Sequence, residues 1–377
     1  MPWKETTPVS QRRDFLALHA QQAIAFAELC RRFGISRKTG YKWLSRADDL
    51  NDRSRRPHNS PRKTAPDLEL RVLELRQRHP AWGGRKISRR LADLGVEQVP
   101  KPSTVTHILR RHDLLAPRAA GQGGRYQRFE HLAPNDLWQM DFKGHVALSS
   151  GRCHPLTVLD DHSRFNLVLH GVGGESTEQV QPVLQATFER YGLPSRINTD
   201  NGPPWGSPRV PGRSLSELTI WLVRLGIRIS FSAPGHPQTN GKDERFHRSL
   251  KAEVLNGRSF RDLKHSQQAF DHWRPIYNHE RPHEGIGMAV PASRYQASAR
   301  AYPQVLPPIE YGPDDTVTTV GWNGAVRFRG LLLRVSSALK DQPIAFRPNP
   351  EKDGCYALYY CHHHFAEFDL GAAEISY

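Results

Sequence analysis

Three short acidic motifs, each set at the boundary of a different element, constrain this chain more than any other feature of its sequence. The first, Asn135-Asp136-Leu137-Trp138-Gln139-Met140-Asp141-Phe142, alternates: Trp138, Met140 and Phe142 share one face of a strand and Asp141 lies on the other. The second is a short strand, Ser195 to Thr199, that runs into Asp200-Asn201-Gly202. An acid at a strand end before an Asn-Gly turn is well placed to hold a metal at a sheet rim. The third follows a Pro/Gly cluster at Pro234 to Pro237, where a long helix begins near Gln238 and carries Glu244. Between these motifs, Cys153 to Leu159 and Phe165 to His170 read as strands joined by a turn at Asp160-Asp161-His162-Ser163. Residues 176–191 and about 215–225 read as helices.

Two Asp and one Glu on separate elements are what a two-metal phosphoryl-transfer site requires. Hard carboxylate oxygens hold Mg²⁺ or Mn²⁺ and leave positions for water and phosphate oxygens. Lys251 lies two helical turns beyond Glu244 on the same face, and His247 and Arg248, at i+3 and i+4, reach that side as well. Asp160, Asp161 and Asp243 read as turn or helix-surface groups, and Trp273, Tyr277 and Asn278 as packing and capping residues.

The order and wording of these segments (LWQMDF, INTDNGPPW and SAPGHPQTNGKDERFHRSLK, followed by YNHERPHEGIGMAVPASRY) resemble the DDE integrase core of bacterial insertion-sequence transposases, related to retroviral integrases. The resemblance covers roughly residues 132–300. It implies a ribonuclease-H-like α/β fold with Asp141, Asp200 and Glu244 as catalytic, metal-holding acids for two Mg²⁺ (or Mn²⁺) ions. It further implies that Asn201, His236, Gln238, Asn240 and Lys251 touch the active site or the DNA end. Two departures stand out. The interval from Asp200 to Glu244, 44 positions, is longer than this type usually shows, with the surplus at Gly206 to Ser214. The N-terminal His/His/Cys/Cys zinc module of retroviral integrases is absent.

Helix-turn-helix patterns stand in that module's place, and charge marks them out. Residues 1–131 hold 27 Lys/Arg against 13 Asp/Glu, a net of +14, whereas the remainder nets +1. Concentrated cationic charge is the footprint of nucleic-acid binding, because each phosphate contact releases counterions. In residues 11–46 an apolar helical rhythm breaks at Gly34, and Ser36 caps a short basic helix. Arg37, Lys38, Tyr41 and Lys42 are its candidate DNA contacts. Residues 50–64 form a basic linker in which Arg53, Arg55, Arg56, Arg62 and Lys63 can track phosphates. A second unit follows: a helix ending at His79-Pro80, one opening at Gly83-Gly84, and a third capped by Ser103 that presents Thr104, Thr106, His107, Arg110 and Arg111. Two readers on one chain suit a long, specific site.

After a Pro-rich stretch at 301–309, short alternating strands with turns at Asn323-Gly324 and Asp353-Gly354 resemble the small SH3-like β-barrels that follow integrase cores. Arg327, Arg329, Arg334 and Arg347 could contact DNA or subunits of an assembly there. Cys355, Cys361 and His362 to His364 fit no common zinc spacing. No apolar run approaches membrane-spanning length and no secretory leader pattern opens the chain, so a cytoplasmic, nucleoid-associated location is expected.

The expected architecture is therefore multidomain: helix-turn-helix units at 1–49 and 65–115, linkers at 50–64 and 116–131, a ribonuclease-H-like core at 132–300, and a linker with a β-barrel at 301–377. The expected activity is DNA transposition. The protein would bind the element's terminal inverted repeats, free 3′-hydroxyls and join them to target DNA, acting as a dimer or larger assembly on DNA. One alternative is a sequence-specific repressor whose core no longer cuts. Another, a nuclease that reads DNA shape, is disfavoured because it needs no tandem sequence readers.

Overall fold

A computed structural model describes residues 6–55, 63–115, 130–206, 215–232 and 241–376. The chain divides into two compact units, Met1–Lys63 and Thr64–Tyr377.

The first unit is a three-helix domain: α1 (Pro8–Ala20), α2 (Phe26–Arg32) and α3 (Arg37–Leu44). Phe15, Leu29 and Cys30 form its core, flanked by Leu16, Ile24, Phe26, Phe33 and Ile35, the residues of the apolar rhythm. Gly34 takes φ +64°, a conformation that a side chain would disfavour, and so ends α2. Ser36 then caps α3 by accepting from the Thr39 amide at 3.1 Å. Gly40 sits where α3 crosses the core: a Cβ there would stand 2.8 Å from Cys30 Sγ and 2.8 Å from Phe26 Cζ.

The second unit begins with another three-helix domain, α4 (Pro66–Arg78), α5 (Gly84–Asp93) and α6 (Pro102–Arg111). Val72, Leu75, Trp82, Ile87, Leu91, Val105, Ile108 and Leu109 fill its core. The N-cap of α6 is Lys101, not Ser103: Pro102, whose fixed φ suits the first helical position, starts the helix and leaves Ser103 inside it.

A mixed sheet follows, built from β1 (Trp138–Phe142), β2 (Val146–Ala147), β3 (Arg152–Asp160), β4 (Asn166–Val172), β5 (Arg196–Thr199) and β6 (Arg228–Phe231). The order is β4-β3-β1-β5-β6, with β2 paired to the start of β3. The first three strands are antiparallel, and β5 and β6 join β1 in parallel. Helices α7 (Thr177–Tyr191) and α8 (Glu217–Arg224) pack against Trp138, Met140, Leu156 and Val158 on one face. Helices α9 (Gly241–Leu250) and α10 (Leu263–Pro275) cover the other, around Cys153, Leu159 and Leu169. This three-layer arrangement is the ribonuclease-H-like core.

The second three-helix domain is fastened to this core through one carboxylate. Glu253, in the π-helical turn that continues α9, accepts from Trp82 Nε1 at 3.4 Å, Trp273 Nε1 at 3.0 Å and Arg281 Nε at 2.8 Å. Arg90 adds a 2.7 Å ion pair to Glu280, and Ile276 packs against the helical core.

At the C-terminal end, β7 (Thr316–Thr319), β10 (Pro343–Pro348), β11 (Cys355–Tyr360), β12 (His363–Asp369) and β13 (Glu374–Ser376) form an antiparallel sheet in the order β13-β12-β11-β10-β7. A separate hairpin, β8 (Ala325–Phe328) with β9 (Leu331–Arg334), lies against it, its Phe328 ring stacked on Phe346 at 4.0 Å. The strands were expected as a barrel. They are two open sheets instead, since β7 and β13 are each paired on one side only. Their shared core extends onto Ile220 and Val223 of α8.

Candidate active site

Asp141 occupies the face of β1 turned toward α9, as the alternation predicts: Trp138 and Met140 lie in the cluster on the opposite face, with Phe142 packed against it. The parallel register sets Trp138 beside Ile197 and Gln139 beside Asn198. Continued by two residues, that register brings Asp141 alongside Asp200, which follows β5. Asp141 feels the charge of Asp200. Burial first, and then the charge of Asp200, push Asp141 up to about 7. Burial first, and then Glu175, raise Asp200. Glu175 repels both acids and is held at 2.7 Å from His154 Nδ1; it precedes α7 and carries no motif that would mark it in the sequence. Desolvated carboxylates that resist ionising together are the donor chemistry a hard divalent cation relieves. The pair Asp141 and Asp200 therefore fits such an ion.

On α9 the inward acid is Asp243, not Glu244. Asp243 is fully buried and shares a stripe with Phe246, His247 and Leu250, the i, i+3, i+4, i+7 spacing of a face packed on a sheet. This corrects the reading of Asp243 as a helix-surface group, and the same stripe could have revealed it. Glu244 is exposed, as are Arg248 and Lys251. His247, expected on the Glu244 side, turns inward instead, because its ring lies one turn from Asp243 on the buried stripe. Burial pushes it down to about 3, so the ring is neutral. Among the described residues no group of three His, Cys, Asp or Glu side chains is gathered tightly enough to hold a metal ion.

Thr157, the cross-strand partner of Asp141, links these groups. Its Oγ1 lies 3.0 Å from the main-chain oxygen of Asp141, 3.2 Å from Asp243 Oδ1 and 2.9 Å from His247 Nε2. A hydroxyl has one proton and two lone pairs, so it donates to one of the oxygens while His247 Nε2–H donates to it. Burial, then the charge of Asp141, raise Asp243 well above the carboxylate range.

Asp160 and Asp161 do occupy a turn, but they are buried because they organise it. Asp160 accepts from the amides of Asn135 and Ser163, both at 2.7 Å. Asp161 accepts from His131 N and Gln139 Nε2, each at 2.9 Å, and from Lys242 Nζ. Asn201 is half-buried, its Nδ2 donating to Ser232 O at 3.4 Å. His236, Gln238 and Asn240 lie outside the described residues, as do Arg56 and Arg62.

Among the helix-turn-helix contacts, Arg37, Lys38, Tyr41 and Lys42 all stand exposed on α3. Arg53, Arg55 and Lys63 are exposed as well. On α6, His107 and Arg110 are exposed and Thr104 is half-buried. Thr106 donates back to Pro102 O at 2.8 Å, and Arg111 turns onto α4 to pair with Glu69 at 2.7 Å.

Comparison with known families agrees with this anatomy. Residues 131–237 and 225–291 match descriptions of the integrase core domain. Residues 11–58 match a helix-turn-helix domain and 39–109 a homeodomain-like domain. Residues 315–376 match the C-terminal domain of IS481 family transposases. Taken in order, these matched segments make the chain similar to insertion-sequence transposases with an integrase core. The chain is 28% identical over 247 residues to an uncharacterized 39.2 kDa protein of insertion element IS476 from Xanthomonas euvesicatoria, covering 64% of this chain and 67% of that protein. It is 27% identical over 244 residues to an uncharacterized 31.7 kDa protein of insertion element IS407 from Burkholderia multivorans, covering 62% and 83% respectively. Among solved structures, it is loosely similar to the HTLV-2 integrase catalytic core in complex with magnesium, with TM-score 0.31 and 20% identity, covering 44% of this chain and 99% of that one. Among the described residues, no helix is long and apolar enough to cross a membrane.

Proposed function

We propose that this chain is a transposase that binds the terminal inverted repeats of its own element, cleaves there to free 3′-hydroxyls, and joins them to target DNA by transesterification. The observation that carries the reading is the pair Asp141 and Asp200 near the C-terminal ends of the adjacent central strands β1 and β5, with the charge of Asp200 raising Asp141, beside the helix that bears Glu244. Asp141, Asp200 and Glu244 would hold two Mg²⁺ or Mn²⁺ ions. Bound there, the ions would sharpen the attacking oxygen and stabilise the leaving one. The chain's own contribution is to bind and orient. Asp141 and Asp200 supply the negative field, and Arg248 and Lys251, exposed on the Glu244 side of α9 and its extension, meet phosphates. The α3 and α6 faces grip the DNA end, α3 through Arg37, Lys38, Tyr41 and Lys42. Joining two ends together calls for at least two copies on DNA.

A second reading, a sequence-specific DNA-binding repressor with an idle core, draws on the outward placement of Glu244. Strand transfer separates the two. Protein, Mg²⁺, a plasmid target and labelled duplexes of the DNA flanking its own gene should give joined product that disappears with Asp200→Asn. Specific binding without joining, in Mg²⁺ and in Mn²⁺, would leave the repressor.

A further inference from the structure

We propose that Asp243 is a positioning residue for strand transfer, fixing Asp141 through Thr157 and Glu244 through the first turn of α9. The inference rests on the assignment of Asp141, Asp200 and Glu244 as the catalytic acids. Asp243 is fully buried, and its Oδ2 has no hydrogen-bond partner among the described residues. A carboxylate in this state opposes folding, because its removal from water is only half repaid by hydrogen bonds. The rest of the buried stripe contains Phe246 and Leu250, so an apolar side chain would serve packing better at this position. What the carboxylate adds is direction. Its Oδ1 lies 3.2 Å from the Thr157 hydroxyl, which lies 3.0 Å from the main-chain oxygen of Asp141 and can turn its one proton to either.

The residue before it makes a matching tie. Lys242 pairs with Asp161, and the same Oδ1 of Asp161 accepts from Gln139 Nε2 at 2.9 Å. The two residues that immediately precede Glu244 are thus each bound through β3 or its following turn to β1, one opposite Gln139 and the other at Asp141. Successive helical residues differ in direction by about 100°. A slip of α9 by one residue would break both ties and turn Glu244 to another side of the helix. The ties therefore fix the rotation of α9 about its axis, and with it the direction in which Glu244 leaves the helix.

The test uses the full chain with Asp243→Val, Asp243→Asn, Thr157→Val and Thr157→Ser. Two readouts apply: KM and kcat for joining the gene-flanking duplex, and the Mn²⁺ concentration that half-saturates the rise in melting temperature without DNA. Both valine variants should bind the duplex in the absence of metal as the wild type does. They should lose roughly 10–100-fold in kcat and in Mn²⁺ affinity, the range seen when partners of metal ligands are removed. Thr157→Ser, which keeps the hydroxyl, should restore both. If the valine variants do not fold, Asp243→Asn and Thr157→Ser carry the comparison, with Asp243→Asn falling in both readouts and Thr157→Ser matching the wild type. Unchanged kcat and Mn²⁺ affinity in Asp243→Val would overturn the proposal. So would loss of all Mn²⁺ response in Asp243→Asn, as expected of Asp200→Asn, since that would make Asp243 a ligand. A wild type that joins nothing would refute the proposed function, while the Mn²⁺ readout would still decide the role of Asp243.

Discussion

Replacing Glu253 by methionine should destabilise the larger unit by about 4 kcal/mol, and the structure shows where that figure comes from. Glu253 and Arg281 are an ion pair at 2.8 Å whose side chains are 8% and 6% exposed. Removing one partner of such a pair leaves a charge buried without its counter-ion, which costs about 3–5 kcal/mol. Arg281 keeps a 2.9 Å bond to Ser249 Oγ and the face of Tyr277 at 5.6 Å, which holds the loss toward the lower end. The indole N–H groups of Trp82 and Trp273 lose the same acceptor, adding roughly 1 kcal/mol between them because the Trp82 bond is long. Urea unfolding followed by tryptophan fluorescence reports directly, since two of the ring systems concerned touch the mutated residue. The midpoint should fall, and the melting temperature should drop by roughly 6 °C. The double variant Glu253→Met/Arg281→Met should recover most of the loss, because the orphaned charge is gone. A single variant within 1 kcal/mol of the wild type, or a double variant no better than the single, would refute the reasoning.

Other outcomes follow from the same structure. Gly40→Ala, which in an ordinary helix gains up to about 1 kcal/mol, should destabilise the N-terminal unit, because its Cβ meets Cys30 Sγ and Phe26 Cζ at 2.8 Å each. Thermal unfolding of the isolated point variant against the wild type decides the sign. His283 is pushed down to about 3 by burial and then by Arg281 and Arg164, below its ordinary 6.5. The unfolded chain therefore binds the proton first, so this stability is present above pH 6.5 and is lost as pH falls toward 3, by about 2 kcal/mol at pH 5. His283→Asn keeps an acceptor for Gly285 N and should show a shallower acid slope in urea midpoints; identical slopes would sink the idea. Lys42→Ala on the exposed face of α3 should lower the salt dependence of DNA binding by about one counterion, read from affinity against salt concentration. Chelation of divalent ions should abolish joining while leaving specific duplex binding intact, measured on the same labelled ends.

The parts of this molecule that could be read in its sequence are those encoded locally. The strand around Asp141 shows itself by alternation, the turn before α3 by Gly34 and Ser36, and the core strands by short apolar runs between turn residues. Asp243 and Glu244 were harder, because neighbours on a helix differ only in direction. The stripe through Phe246 and Leu250 selects Asp243 as the buried one, whereas the motif wording drew attention to Glu244. Strand pairing at the C-terminal end is decided by long-range partners, such as β7 beside β10, so the six strands legible there still did not reveal an open sheet. The Glu253 junction was invisible for the same reason: its donors lie 171, 20 and 28 residues away along the chain.

That junction has a consequence for the DNA. With Trp82 and Arg90 bonded to the core, α6 and the Asp141 site belong to one compact unit, and the span between them is set by the fold. A duplex gripped by α6 is then measured as well as recognised. Shifting the recognised base pairs by half a helical turn relative to the cut phosphate should not move the cut along with them. It should present the wrong side of the double helix to the acids and stop cutting altogether, whereas a full-turn shift would restore the facing side at the wrong distance.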